Sequence, residues 1–104
     1  MKKFIIERKI PGAGNMTAEE LHDISKTSVA VISILGKPYH WIQSFVTEDK
    51  LYCIHEAENE DDIREHAKCG DFPVTRIEEI KAVVYLTTAN KAEEGNYARR
   101  IWKQ

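Results

Sequence analysis

The chain has 104 residues, of which 42% are hydrophobic and 31% are charged, and its formal net charge is −2. This length and composition are typical of one soluble globular domain with a core of its own. The slight acidic excess argues against binding to nucleic acid or to a membrane surface, since both need a surplus of basic side chains. No apolar run approaches the roughly 20 residues that span a bilayer. Two cysteines, Cys53 and Cys69, are too few for a disulfide framework.

The first part of the chain predicts a strand and a capped helix. Residues 3–10 are apolar and β-branched and end at a Pro-Gly turn signal, which indicates a strand. Charged residues 7–9 interrupt any apolar export segment, so we expect a cytoplasmic protein. Thr17 and Glu20 fit a capping box, and apolar side chains then recur at helical spacing until Gly36, which suits a helix end.

The middle of the chain predicts a β-hairpin and a second helix. Residues 38–47 and 50–57 alternate like strands, and the short link at residues 48–49 makes them a hairpin. Asn59 is a good N-cap, and three acidic residues follow it in the first turn, where the helix dipole favours negative charge. Pro73 comes soon enough to end this helix.

A last strand is predicted over residues 77–86. The element order is then β-α-β-β-α-β, which is the ferredoxin-like α+β arrangement: a four-stranded antiparallel sheet with two helices on one face. We expect this domain to occupy residues 1–88 and residues 89–104 to form a C-terminal extension. Apolar i,i+4 pairs within residues 97–102 allow a short docking helix there, and a frayed end with one anchoring tryptophan is the alternative.

Apolar side chains fall on both faces of the predicted sheet. In the second strand, Ile42 and Val46 have one parity while Trp41 and Phe45 have the other. The helices can cover only one face, so the other needs a cover, most simply a second copy of the chain. We therefore expect a homodimer, a dimeric α+β barrel with a cavity between the subunits.

Candidate metal ligands lie in the hairpin. A two-residue turn pairs Ser44 with Cys53 and Ile42 with His55. One face then carries four donor side chains, namely His40, Ser44, Cys53 and His55. Cysteine and histidine together suit nickel, zinc or copper rather than magnesium or calcium. The alternative is that the two histidines are half-exposed strand residues and that Cys53 is a buried thiol. A slip of one residue at the turn would exchange the two faces.

Further candidates lie on other elements. His66 is either a histidine that the dipole favours near a helix end or a pocket ligand, and it can join Cys53 only if the helices cover that strand face. Glu7 is either an ion-pair partner or a cavity acid. Trp41 and Glu56 fall on the opposite face of the hairpin. The sequence contains no serine elbow, phosphate-binding glycine loop or paired-carboxylate motif, so we assign no catalytic residue and favour a non-enzymatic protein.

With these motifs in view, the chain resembles a family of small bacterial proteins described as a domain of unknown function, one branch of which is described as nickel-binding. The resemblance covers almost all of residues 3–86 and rests on these motifs: F-I-I-E-R with P-G, W-I-Q-S-F-V-T-E-D-K-L-Y-C, E-A, and I-R-E-H-A with G-D-F-P. It implies a dimeric ferredoxin-like barrel and nickel as the bound metal. The resemblance matches the pattern of the family at these candidate positions: Glu7, Trp41, Ser44, Asp49, Cys53, Glu56 and His66. His40 and His55 lie outside that pattern.

Three functions remain open at this point. The first is a metal-binding protein, nickel by resemblance, acting in storage, buffering or delivery, with candidate ligands Cys53, His66, His40 and His55. The second is an enzyme or small-molecule binder that uses the cavity between subunits, where Glu56 or His66 would move a proton. The third is a structural or regulatory domain that binds a partner.

Overall fold

The computed structural model describes residues 1–91, so the helix predicted within residues 97–102 lies outside the described part. The elements follow one another as β1 Lys2–Lys9, α1 Ala18–Leu35, β2 Tyr39–Val46, β3 Lys50–Ala57, α2 Glu60–Gly70, β4 Arg76–Ile80 and α3 Leu86–Lys91. The predicted β-α-β-β-α-β order is confirmed, with one additional short helix after it.

Both long helices begin at the predicted caps. The Thr17 hydroxyl accepts from the Glu20 amide at 3.1 Å, and the Glu20 carboxylate accepts from the Thr17 amide at 2.9 Å. The Asn59 side chain accepts from the Asp62 amide in the same way at the start of α2. These bonds satisfy backbone N–H groups that a helix leaves unpaired at its first turn. Gly36 ends α1 in the left-handed conformation that glycine adopts without strain.

The four strands form one open antiparallel sheet in the order β2-β3-β1-β4. The inner face, which α2 covers, carries the core: Phe4, Ile6, Leu51 and Cys53 are buried there. Ile63 of α2 is fully buried against this face. Within residues 1–91 no strand pairs with the outer edges of β2 and β4, so this sheet is open and does not close into a barrel.

The prediction of a last strand as far as Leu86 was wrong. β4 ends at Ile80, and Leu86 already belongs to α3, which crosses the predicted boundary at residue 88. The register explains the early end, since Ile80 pairs with Lys3 and β1 begins at Lys2. Beyond this point the chain has almost no strand left to pair with, although residues 82–85 are suitably apolar.

A β-bulge at Ile42 changes the predicted faces of the hairpin. Ser44 pairs with Cys53 as predicted, but Trp41 rather than Ile42 lies opposite His55, because the register shifts between Trp41 and Gln43. One extra residue reverses the side-chain alternation beyond it. The predicted pairing of Ile42 with His55 was therefore wrong.

The outer face of the sheet is mixed in character. Ile5 and Ile54 lie opposite each other at its centre and are half-buried, while Phe45 on β2 is 51% exposed. Charged side chains surround them, including the cross-strand pair of Lys50 and Glu7. Within residues 1–91 no element packs over this face. Over the same residues, no helix has both the length and the apolar character needed to cross a membrane.

Candidate functional site

A cavity of about 240 Å³ lies between α1 and the β2–β3 half of the sheet. Two small side chains of α1, Ser25 and Ser28, border the cavity on the side of the helix that faces the strands. The same helix also contacts α2, because the Ser28 hydroxyl lies 3.2 Å from Nε2 of His66. Apolar side chains form much of the wall, namely Ile10, Leu21, Ile24, Trp41, Val46, Leu51 and Phe72.

The polar part of the wall includes several residues that the sequence analysis singled out. Cys53, His55 and His66 all line the cavity together with Ser44. The inner face of β3 is thus the helix-covered one, which answers the question of whether His66 can join Cys53. Trp41 joins them because of the bulge, and its indole N–H donates to the Ser44 hydroxyl at 3.0 Å.

The other candidates lie elsewhere. His40 is on the outer face, where its Nδ1 lies 3.2 Å from the Glu56 carboxylate. Glu7 is also on the outer face and pairs with Lys50 at 3.3 Å. The prediction that His40 shares a face with Cys53 was wrong, for the same reason as the Ile42 pairing. These three residues do not contribute to the cavity of one chain.

Four rings form a packed cluster at one side of the cavity. The Tyr39 ring stacks on His66 with centroids 4.8 Å apart, and Phe72 stacks on His66 at 5.6 Å. His55 meets His66 edge-on at 5.1 Å. The Tyr39 hydroxyl and His55 Nδ1 are hydrogen-bonded at 2.5 Å. Stacked and edge-on rings are favourable aromatic geometries, so the cluster fixes both imidazoles in place.

Burial keeps both imidazoles neutral. Loss of water, together with the nearby His66 and Arg8, lowers the pKa of His55 to about 3. Burial also lowers the pKa of His66 to about 4, with Ser28 opposing and Arg8 adding to the effect. The pKa of Tyr39 is raised, mainly by burial, so its phenol stays protonated. At neutral pH the cluster therefore carries no charge of its own.

One fully buried nitrogen of this cluster has no hydrogen-bond partner among the described residues. Nδ1 of His66 is buried and unpaired within the described part of the chain, while Nε2 is engaged by Ser28. A buried polar atom left without a partner costs about 1–3 kcal/mol. Such atoms are rare in folded proteins, so this one needs an explanation, such as a ligand or a water that binds there.

Arg8 brings the only formal positive charge among the side chains that line the cavity within residues 1–91. It is 3% exposed, and its Nη1 donates to the Pro73 carbonyl oxygen at 2.8 Å. Its guanidinium carbon lies 5.3 Å from the centre of the Phe72 ring. Its place in the cavity was not predicted from the sequence, although Arg8 has the same parity in β1 as the buried Phe4 and Ile6.

Residues 1–91 of one chain do not form a ready-made metal site. Among residues 1–91 no three His, Cys, Asp or Glu side chains are grouped closely enough to hold an ion. Cys53, His55 and His66 share a cavity wall, but His55 Nδ1 is bonded to Tyr39 and His66 Nε2 to Ser28. Each imidazole thus has one nitrogen left for a ligand.

Comparison with known proteins gives a family and a fold. The sequence model of the family described as "Nickel responsive protein SCO4226-like" matches residues 4–80. The crystal structure of SCO4226 from Streptomyces coelicolor A3(2) superposes with a TM-score of 0.68 and 16% sequence identity, covering 79% of this chain and 99% of that one. No curated protein sequence matches the chain.

The structural match confirms the α+β fold, and at this identity it shows the fold alone. The family match spans β1 to β4, including every residue of the cavity wall described above. Because it covers well over half of the sequence, the assignment does not depend on a short motif. The chain belongs to the family described as nickel responsive proteins like SCO4226.

Proposed function

We propose that this protein binds a small organic molecule in the cavity between α1 and the sheet. The observation that carries this proposal is the cavity itself, about 240 Å³ with a largely apolar wall and a few polar groups. An apolar cavity of about 150 Å³ is already large enough for benzene. The space therefore suits a compound with one ring or a short chain.

A second property of the wall supports binding rather than loose packing. Binding pockets combine an apolar wall with a few polar groups that orient the ligand. Here Trp41 and Ser44 are hydrogen-bonded to each other on one side, and the unpaired His66 Nδ1 belongs to a lining residue on the other. This distribution differs from a simple void, which would be lined by carbon atoms throughout.

Filling the cavity tests the proposal. Ser25→Leu adds an apolar side chain at the α1 wall, and Ser33→Leu adds the same group at an exposed position of the same helix. Toluene, phenol and phenylacetate serve as probes, with calorimetry on the full chain as the readout. We expect binding of at least one probe, at least tenfold weaker in Ser25→Leu and unchanged in Ser33→Leu. Equal binding to all three proteins, or none to the parent chain, would overturn the proposal.

Nickel binding is the second candidate function, in storage, buffering or delivery. It is supported by the family description and by the shared cavity of Cys53, His55 and His66, whose thiol and neutral imidazoles are suitable donors for nickel. Since no three of these groups stand ready in one chain, binding would require side chains to move or a second copy to contribute.

Calorimetry with Ni²⁺ and Zn²⁺ on metal-free protein without a histidine tag tests this candidate. We expect micromolar or tighter binding that Cys53→Ser and His66→Gln each weaken at least tenfold, equivalent to about 1.4 kcal/mol. His22→Gln is the matched control, because His22 is exposed on α1, away from the cavity. Millimolar binding that none of the changes affects would exclude this candidate.

We also propose that the chain acts as a homodimer through the outer face of the sheet. Its support is the uncovered apolar surface of β2, where Phe45 is 51% exposed and Ile42 48%. A stable interface buries about 1,200–2,000 Å² in total, which a sheet face can supply. Both cysteines are free thiols, as is usual in a reducing cytoplasm, where we propose that the protein resides.

Sedimentation equilibrium tests the dimer. The parent chain should show twice the monomer mass of 12.0 kDa, and Phe45→Glu should return it to that mass. Val29→Glu is the control, since Val29 is 57% exposed on α1 rather than on the sheet. A parent chain that is monomeric at micromolar concentration would refute the proposal.

A further inference from the structure

The cavity contains a buried positive charge without a negative partner. Arg8 is 3% exposed, and among residues 1–91 it forms no ion pair with an aspartate or glutamate. Its hydrogen bond to the Pro73 carbonyl and its contact with the Phe72 ring hold the side chain in position, and neither neutralises it. Buried charges in proteins are normally paired, because an isolated ion loses its hydration.

The rest of the wall does not supply the missing charge. No acidic residue borders the cavity among the described residues, and both histidines there are neutral at pH 7. A guanidinium has five N–H groups in a planar fork that matches a carboxylate. The Arg8 side chain uses one nitrogen for Pro73, so the remaining N–H groups are available to an anion that enters the cavity.

The size and polarity of the cavity limit what this anion can be. A single arginine balances one negative charge, whereas a phosphate monoester carries nearly two at pH 7. The wall around Arg8 is mainly apolar, with Trp41, Leu51 and Phe72 nearby. The space of about 240 Å³ suits one ring or a short chain, as argued above. A carboxylate with an apolar body satisfies all three conditions.

We infer that the cavity is a binding site for small monocarboxylic acids, with the carboxylate on the Arg8 guanidinium and the apolar body against the Trp41 and Leu51 wall. This inference rests on the proposed ligand-binding function and specifies its ligand class. Hydrogen bonds between charged partners are about twice as strong as neutral ones, so the charge decides which compounds bind.

Pairs of acids and amides test the inference on the unmodified protein. Hexanoate, benzoate and phenylacetate are each compared by calorimetry with the amide of the same shape at pH 7.5, where only the acid is charged. We expect at least one acid to bind, at least tenfold more tightly than its amide. If acid and amide bind equally, the carboxylate inference fails while the cavity proposal stands. If none of these acids or amides binds, the carboxylate inference fails, and the binding of toluene or phenol decides whether the cavity proposal stands.

Arg8 variants give the second test. Arg8→Met keeps an unbranched apolar side chain and removes the charge, so acid binding should fall at least tenfold while binding of the amide is retained. Arg8→Lys keeps the charge without the planar fork and should give an intermediate affinity for the acid. Near-ultraviolet circular dichroism checks that the variants fold. Acid binding that Arg8→Met leaves unchanged in a folded protein would overturn the inference.

Discussion

Acidification from pH 7.5 to 5.0 should lower the free energy of unfolding of this protein by more than its exposed side chains alone would cause. The cause is the pair of buried imidazoles, whose pKa values fall to about 3 for His55 and about 4 for His66. An unfolded histidine has a pKa of about 6.5. Below that pH the unfolded chain binds protons that the folded chain cannot accept, so the unfolded state is favoured.

The size of this effect follows from the two pKa values. At pH 5.0 each histidine favours unfolding by about 2 kcal/mol relative to pH 7.5, because the unfolded imidazole is protonated and the folded one is not. The pair together costs about 4 kcal/mol, a large part of the 5–15 kcal/mol that is typical of a domain. The loss begins as pH falls through about 6.5 and levels off below the folded pKa values, since both states are then protonated.

Urea unfolding at a series of pH values between 7.5 and 5.0 measures the effect. His66→Gln should remove about half of the pH dependence, since one of the two buried imidazoles is gone. His22→Gln is the control, because His22 is exposed and its replacement removes no buried imidazole. A free energy of unfolding that changes by less than about 1 kcal/mol across this range would refute the reasoning.

Two substitutions and one chemical modification also have defined outcomes. Thr17→Ala removes the hydroxyl that accepts from the Glu20 amide in the α1 capping box and should lower the free energy of unfolding by about 1 kcal/mol in urea. Asp71→Gly should raise it by about 0.5–1 kcal/mol, because Asp71 ends α2 at a φ of 56° that glycine adopts without strain; no gain would contradict this reading. A thiol reagent should modify the exposed Cys69 at once and Cys53 only on unfolding, and immediate reaction of two thiols would show that the cavity wall is open.

Local patterns were sufficient for most of the fold. The capping residues Thr17 and Asn59 mark the starts of both long helices because the bonds they make involve residues only three positions away. The alternation along residues 50–57 predicted β3 with its observed bounds, since a strand covered on one face needs this period. The hairpin register next to the turn was also predictable, and Ser44 lies opposite Cys53 as expected.

The errors arose where one strand depends on another. The bulge at Ile42 has no signal in the alternation of β2, yet it moves Trp41 to the cavity and His40 to the outer face. The early end of β4 at Ile80 reflects the length of β1, its partner, rather than the composition of residues 81–86. Both features depend on how one strand pairs with another.

The candidate site illustrates the same division. Residue types alone indicated which side chains carry donor atoms, and Cys53, His55 and His66 were among them. Their meeting in one cavity depends on α2 crossing the inner face of β3, which is a long-range contact. The sequence also does not show that Arg8 is buried with no carboxylate beside it within residues 1–91. Which side chains are buried, and next to which others, is decided only when the elements pack together. Bonds between residues close in the sequence determine the helices and strands, whereas the cavity forms only when distant segments pack against each other.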